Sequence, residues 1–367
     1  MQTVQTQGGH TIALEIRDPL DGGASDLAPV LCVSGGPGLP SSYLHPLVPL
    51  LGGRRTIFFD LPGCGASDAP SEPHSYGTDD CVADFCDVVA QLSAKFGLTR
   101  AHLLGHSWGG VLALAALLRG RFFEMRLCSL VLLSAGASTT SLLAEARRLR
   151  EWIRRGEEMR IFKERLAARQ QAETLPGAGG LGGPEHAPTE IQQSPYEESM
   201  DAAEELFFAK HECRVKPVPD CLRDARNEVS SMYKASRNLE SFDVASELAE
   251  RMGEPAEEAA TREGAVEFGT LPVLVLRGED DFCTQKCVQP VLGTSATMPQ
   301  KAQLKLVRCA CLTAAYRCFW LLTAASLDLL PSSEEGIIPE AGHYSFLENP
   351  EEFSRQVIAF LERHEAS

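Results

Sequence analysis

Ser107 is the residue whose setting points most directly to chemistry, because it stands between Gly105 and Gly109 in a Gly-x-Ser-x-Gly pentad. A mostly apolar run at 101–104 precedes the pentad and apolar residues at helical spacing follow it, so the pattern predicts a strand, a sharp turn and a helix. A serine on such a turn has a strained backbone, which requires glycine two positions to either side. The pentad alone also occurs as a plain glycine turn, but this context favours a nucleophile.

A serine hydroxyl is a weak nucleophile at neutral pH and needs a base, together with a carboxylate that orients the base. Of the nine histidines, His343 directly follows a predicted strand and a glycine near the C-terminus. Asp281 lies at the C-terminal end of another predicted strand, at the level expected for Ser107, with Glu279 and Asp280 as competing acids. The order Ser107, Asp281, His343 is the one that α/β-hydrolases use.

Two backbone N–H groups are candidates for an oxyanion hole, which stabilises the negative charge formed on an attacked carbonyl oxygen. One belongs to Trp108, the residue after the serine, at the start of the predicted helix. The other lies in the glycine-rich loop at 34–38, where Gly36 is the preferred donor and an ordinary Gly-Pro turn is the alternative. His106 also flanks the serine, but we expect it to be structural because it would point into the sheet side of the turn.

The elements that must position these residues alternate between strands and helices. Short apolar runs predict strands at 28–33, 56–59, 101–104, 127–133 and 271–276, and helical periodicity appears at 79–96 and from Pro350 onward. Residues 2–17 alternate around two glycines, which predicts an N-terminal hairpin. This arrangement predicts an α/β fold with a mostly parallel sheet flanked by helices and with ligands at the C-terminal ends of the strands.

The predicted domains are a core of residues 1–137 and 268–367 and a helical cap of residues 138–267 inserted into it. The cap is rich in Glu, Arg, Lys and Ala and shows helical periodicity without a convincing strand. Within it, residues 175–195 are rich in Gly and Pro and lack periodicity, which predicts a flexible loop.

The composition excludes some classes of function. A formal net charge of −16 over 367 residues argues against a nucleic-acid partner, because phosphate binding requires clustered Lys and Arg. The uncharged stretch at 318–327 is half the length of about 20 residues that a membrane span needs, so we expect no membrane partner. The N-terminus has neither a basic start nor an apolar run, so no signal peptide is predicted and a cytoplasmic location is expected.

The twelve cysteines are scattered along the chain, several of them in apolar stretches, and are expected to be reduced thiols. The short-spaced sets Cys309 with Cys311, Cys283 with Cys287 and His211 with Cys213 do not form a paired set of zinc spacing. We therefore expect no metal and no cofactor, and the serine chemistry predicts a small acyl compound as the substrate.

Four stretches resemble the proline iminopeptidase family of the α/β-hydrolases. Residues 34–38 are similar to that family's HGGPG, residues 60–67 resemble its DQLGCGRS loop, and residues 105–110 read GHSWGG as the family does. In the cap, residues 211–214 resemble a motif of one branch. The resemblance implies cleavage of an N-terminal residue, often proline, from short peptides through an acyl-enzyme without a metal.

The sequence departs from this family at the positions that bind the substrate. The leading histidine of HGGPG is Ser34, although the backbone donors of that loop would remain. The resemblance implies that two carboxylates hold the α-ammonium group of the substrate, yet Phe282 and Ser241 stand at their positions. Glu240 lies one position earlier and is the candidate substrate-binding residue. These changes leave two alternatives: a carboxylesterase or amide hydrolase without an amine requirement, and a non-catalytic small-molecule-binding protein on the same scaffold.

The separation between Asp281 and His343 is much longer than in the family. The strand expected before His343 is split between 303–307 and 336–338, with residues 308–335 between the two parts. This segment is either an insertion or untranslated sequence read as coding.

Overall fold

The computed structural model describes residues 1–19, 26–70, 72, 75–119, 125–174, 195–235, 241–253, 270–292 and 333–365. The strands are β1 Gln2–Gln5, β2 Thr11–Arg17, β3 Val30–Val33, β4 Thr56–Phe59, β5 Arg100–His106, β6 Arg126–Leu133, β7 Val273–Gly278 and β8 Ser333–Ile338. They form one sheet in the order β1-β2-β4-β3-β5-β6-β7-β8. The pairs β1–β2 and β2–β4 are antiparallel, and every other neighbouring pair is parallel.

Helices cover both faces of this sheet. They are α1 Thr78–Phe96, α2 Trp108–Arg119, α3 Thr139–Thr174, α4 Pro195–Phe207, α5 Asp220–Asn227, α6 Ser231–Ala235, α7 Ala245–Gly253, α8 Gln285–Leu292, α9 Ser345–Glu348 and α10 Pro350–Arg363, with a 3₁₀ helix at Ser41–Leu50 and a π-helical turn at Phe208–Glu212. One apolar layer joins the sheet to α1, α2, α7 and α8, and the other joins it to the 3₁₀ helix, α5 and α10. Because parallel strands are buried on both faces, they read as continuous apolar runs.

The expected elements are present in the described part of the chain. The N-terminal hairpin is confirmed as β1 paired with β2, and the predicted strands correspond to β3, β4, β5, β6 and β7. The predicted helix from Pro350 is α10, which buries Phe353, Val357, Phe360 and Leu361 and has Asn349 as its N-cap. The α/β fold class is therefore confirmed.

The last strand begins earlier than expected. β8 starts at Ser333, so residues 333–335, which the sequence assigned to the segment 308–335, pair with β7 in the sheet. The rest of that segment lies outside the described residues, as do 303–307 and residues 175–194 of the expected flexible loop. Pro195, the last residue of that loop as predicted, begins α4.

Helices α3 to α7 occupy the region assigned to the cap. The only strand-type pairing there among the described residues is an isolated antiparallel bridge between Ser138 and Asp243. Within the described ranges, no helix combines the length and the apolar character that crossing a membrane requires. The nine cysteines that the structure describes are all free thiols, as expected.

Two glycines, Gly105 and Gly109, allow the turn after β5 to form. A Cβ atom on Gly105 would lie 2.6 Å from the Cα of Gly110 and 2.7 Å from the carbonyl oxygen of Gly109. A Cβ atom on Gly109 would lie 2.4 Å from the carbonyl oxygen of Ser34 and 2.5 Å from that of Val33. The first turn of α2 thus lies directly against the backbone at the C-terminal end of β3, and only glycine permits this approach.

Gly109→Ala should lower the free energy of unfolding by about 3 kcal/mol or more, because the added methyl group overlaps backbone atoms that cannot rotate away. Gly156→Ala is the matched control, since Gly156 is exposed in α3 with no atom near its Cβ position. The control should be neutral or more stable by about 1 kcal/mol. Urea unfolding measures both changes, and equal stability of the two variants would contradict the packing described for Gly109.

Candidate active site

Ser107 stands at the junction of β5 and α2 in a left-handed backbone conformation, with φ of 55°. Its N–H donates to the carbonyl of Leu133 in the neighbouring strand β6, at 2.9 Å. The backbone of Gly35 lies close on the other side, since a Cβ atom there would be 2.9 Å from the Cβ of Ser107. A non-glycine residue adopts this conformation at a cost, and neighbouring backbone contacts hold the serine in it.

His343 and Asp281 form a buried pair, as the sequence order predicts for a base and its orienting acid. The Nδ1 atom of His343 lies 2.8 Å from Oδ1 of Asp281, and the Asp281 side chain is fully buried. The N–H of Cys283 donates to the same oxygen at 2.8 Å. Burial alone would raise the pKa of Asp281, but the charge and hydrogen bond of His343 and the Cys283 N–H outweigh burial and lower it. Asp281 is therefore a carboxylate that fixes Nδ1 and leaves Nε2 of His343 for another partner.

The peptide groups of His343 are held from several sides. Its N–H lies within hydrogen-bond distance of two cap carbonyls, those of His211 at 3.1 Å and Glu212 at 2.9 Å. Its carbonyl accepts from the Ser134 hydroxyl and from Nε2 of His106, each at 3.0 Å. The histidine is therefore fixed by the cap on one side and by the ends of β5 and β6 on the other.

His106 has partners at both ring nitrogens, in agreement with the structural role expected for it. Its Nε2 donates to the His343 carbonyl, so its Nδ1 accepts from the Tyr43 hydroxyl at 2.8 Å. The Tyr43 hydroxyl oxygen in turn accepts from the N–H of Gly35 at 2.7 Å. Burial lowers the pKa of His106 to about 3, which keeps the ring neutral at physiological pH.

The two predicted oxyanion donors lie beside Ser107. Gly36 has φ of 121°, and a Cβ there would be 2.7 Å from the Gly38 nitrogen, so the loop needs glycine at this position. Within the described residues, the N–H of Gly36 has no hydrogen-bond acceptor, whereas that of Gly35 is taken by Tyr43. Trp108 begins α2, and its ring packs against Phe242 of the cap with ring centroids 5.9 Å apart. The assignment of both donors remains a prediction.

A cavity of about 350 Å³ lies beside Ser107 and His343. It is lined by Gly36, Pro37, Leu39, His106, Ser107, Glu212, Arg226, Val229, Phe282, His343 and Tyr344. The ring of Phe282 stacks on that of His343, with centroids 4.1 Å apart and planes 25° apart. This volume is at the lower end of the range for ligand sites, so the cavity suits a small substrate.

Not every predicted site residue is described. Ser107, His343 and Gly36 line the cavity and Asp281 is bonded to His343, but Glu240 lies outside the described residues. In the described ranges, no group of three or more His, Cys, Asp or Glu side chains could hold a metal ion.

Three contributors to the site were not identified from the sequence. Tyr43, Ser134 and Arg226 lie in segments without a recognisable motif. Of these, only Ser134 carried a signal, because it directly follows β6 at the edge of the sheet where Ser107 and Asp281 were expected.

Comparison with known proteins agrees with this architecture. Residues 28–190 match the family described as alpha/beta hydrolase fold. The proline iminopeptidase of Lactobacillus delbrueckii subsp. lactis is 37% identical over 144 residues, which are 38% of this chain and 47% of that protein. The chain thus spans about half the length of this relative. The proline iminopeptidase of Levilactobacillus brevis is 23% identical over 355 residues, covering 93% of this chain and 90% of that protein.

A solved structure has the same fold. The crystal structure of the proline iminopeptidase of Mycobacterium smegmatis aligns with a TM-score of 0.63 at 22% identity, covering 99% of each chain. With the eight-stranded sheet and the serine turn described above, this chain has the fold of the α/β-hydrolase superfamily. Within the superfamily, its resemblance to the proline iminopeptidases, expected from the motifs, is confirmed by the sequence relatives.

The neutral state of the buried histidines predicts how stability depends on pH. Burial lowers the pKa of His106 to about 3 and, with Arg54 and Arg100 nearby, that of His102 to about 4. An unfolded histidine titrates near about 6.5. At a pH between the folded and the unfolded pKa values, these histidines bind protons in the unfolded chain but not in the folded protein. Their contribution to the free energy of unfolding is therefore complete above about pH 6.5 and decreases as the pH falls.

The free energy of unfolding should therefore drop by about 2 kcal/mol per histidine between pH 7 and pH 5. Urea unfolding at the two pH values measures the drop. His106→Gln should reduce it by about half, and His102→Gln, four residues earlier in β5, should remove a similar part. An unchanged drop in both variants would contradict the burial of neutral histidines.

Proposed function

We propose that this protein is a serine hydrolase that releases an N-terminal residue, in particular proline, from short peptides. The reaction proceeds through an acyl-enzyme intermediate. The observation that carries the proposal is the buried 2.8 Å contact between His343 and Asp281 beside a cavity that Ser107 also lines. The names of the relatives support the choice of substrate.

In the proposed reaction, Oγ of Ser107 attacks the carbonyl carbon while Nε2 of His343 takes the hydroxyl proton. The C–N bond breaks as His343 gives this proton to the leaving amine, and the acyl group stays on Ser107. Water then attacks the ester carbon, its proton passes to His343, and the C–O bond to Ser107 breaks as the serine regains a proton. Asp281 holds the imidazole orientation and stabilises its protonated form throughout.

The oxyanion formed in each half of the reaction would be bound by the N–H groups of Gly36 and Trp108. Removing one such donor from a hydrolase typically costs about 100- to 1000-fold in turnover. The N–H of Gly36, which has no acceptor among the residues that the structure describes, and the position of Trp108 in the first turn of α2 support this assignment. The helix dipole adds positive potential at the same place.

A second function is favoured by one observation, the stacking of Phe282 on His343. At this position the resemblance implies a carboxylate for the α-ammonium group, and an aromatic ring provides no such counter-charge. A carboxylesterase or amide hydrolase without an amine requirement would use the same Ser107, His343 and Asp281 chemistry. The two functions differ only in the substrate that they accept.

The nucleophile can be tested directly with a fluorophosphonate probe, which reacts with activated serine hydroxyls. The native protein should be labelled, and Ser107→Ala should abolish labelling and lower turnover by on the order of 10⁶-fold, as loss of a serine nucleophile does. Ser354→Ala, which changes a serine on α10, is the control and should label normally. Absence of labelling in correctly folded native protein would support a non-catalytic binding protein instead.

The substrate class can be tested with three chromogenic or fluorogenic compounds: proline β-naphthylamide, its N-acetyl derivative and a p-nitrophenyl ester. An aminopeptidase should prefer the compound with the free amine, measured as kcat/KM. Preference for the acetylated compound or for the ester would overturn the aminopeptidase proposal and support the second function. Ser107→Ala should remove activity on all three.

A further inference from the structure

Two charged side chains, Glu212 and Arg226, line the cavity together with His343. Glu212 comes from the π-helical turn and Arg226 from α5, so both belong to the cap. Their arrangement determines which charge on a substrate the cavity favours.

Glu212 is already occupied at both carboxylate oxygens. Its Oε1 accepts from Nη2 of Arg150 at 3.2 Å, and its Oε2 accepts from Nη1 of Arg226. The Glu212 side chain is only 11% exposed. An ammonium group would have to displace one of the arginines and would then lie beside a guanidinium, so this carboxylate does not provide a site for a cationic substrate.

Arg226, in contrast, has hydrogen-bond capacity left. Its guanidinium carries five N–H donors. The contacts with Glu212 and with the Tyr344 hydroxyl use only some of these donors. The group lies over the Phe208 ring, with its central carbon 4.8 Å from the ring centroid, and its side chain is 42% exposed. Burial would lower the pKa of Arg226, but Glu212 and Tyr344 outweigh it and raise the pKa, so the group is cationic.

A planar cation that is fixed on one face by an aromatic ring and open toward a cavity is suited to bind a carboxylate. We propose that Arg226 binds a substrate carboxylate, and that the substrates are dipeptides whose C-terminal carboxylate is held there while Ser107 attacks the single peptide bond. The small volume of the cavity agrees with a substrate of this size. This inference rests on the proposed serine hydrolase function and narrows its substrate class.

In a dipeptide, the leaving group is the C-terminal residue. It carries both the amine that is freed when the peptide bond breaks and the C-terminal carboxylate. Binding of that carboxylate would fix the leaving residue and orient the scissile carbonyl toward Ser107. A longer peptide or a terminal amide lacks a carboxylate at this distance from the scissile bond. Proline β-naphthylamide should therefore be a weaker substrate than a proline dipeptide.

The experiment compares prolyl-glycine with prolyl-glycinamide, which differ only in the charge at the C-terminus. The native protein should prefer the dipeptide by about 10- to 100-fold in kcat/KM, the usual value of a hydrogen bond to a charged group. Arg226→Gln should bring this ratio close to one, and Arg226→Lys should retain part of it. Arg223→Gln is the matched control, since Arg223 lies on the same helix, pairs with Asp220 and does not line the cavity.

If the protein is labelled by a fluorophosphonate at Ser107 but hydrolyses the two compounds equally well, the carboxylate site is overturned. The proposed function would stay intact. Binding of the intact dipeptide to Ser107→Ala, measured by calorimetry, tests Arg226 without turnover. Loss of binding in Ser107→Ala/Arg226→Gln supports the site, and unchanged binding overturns it. A second pair of compounds, p-nitrophenyl hemisuccinate and p-nitrophenyl butyrate, carries or lacks a carboxylate on the acyl side. If the protein prefers the hemisuccinate in an Arg226-dependent way and shows no preference for the dipeptide, Arg226 binds a carboxylate on the acyl side. That result would overturn the dipeptide assignment.

Discussion

The close backbone approach at the end of β5 is the constraint on which the rest of the site depends. Gly109 lies against the carbonyls of Val33 and Ser34, and Gly105 lies against the start of α2. This contact brings the glycine-rich loop after β3 next to the serine turn. As a result, Ser107 and Gly36 line the same cavity. A side chain at Gly109 would separate the loop after β3 from the turn that carries Ser107.

A buried hydrogen-bond chain extends this constraint to His343. It runs from Gly35 through the Tyr43 hydroxyl and the His106 ring to the carbonyl of His343. Each group in the chain is buried, so each must find a partner, and the neutral ring of His106 can accept from one side and donate to the other. The loop after β3 and the histidine that follows β8 are thereby fixed relative to each other by residues that do no chemistry themselves.

Sequence patterns predict the fold class and the sheet edge at which the main candidate site residues meet. Strand periodicity and strand-end position are local properties, and parallel strands bring their C-terminal ends to one edge, so sequence spacing alone places Ser107, Asp281 and His343 together. Tyr43 and Arg226 cannot be found in this way, because they are ordinary members of helical segments whose role arises only from tertiary neighbours. Phe282 is recognisable as a departure, but its stacking on His343 depends on side-chain orientation, which spacing does not encode.

The region assigned to the cap contacts His343, the proposed base, through its own backbone. The carbonyls of His211 and Glu212 hold the N–H of His343, and Glu212 is also the residue that joins Arg150 and Arg226 at the cavity wall. The cavity wall at Glu212 and Arg226 and the proposed base are therefore connected through one residue, Glu212. Under the proposed function, a compound too large or wrongly charged for that wall would shift the imidazole as it shifts Glu212. The wall would then discriminate between substrates in the rate of bond breaking as well as in affinity.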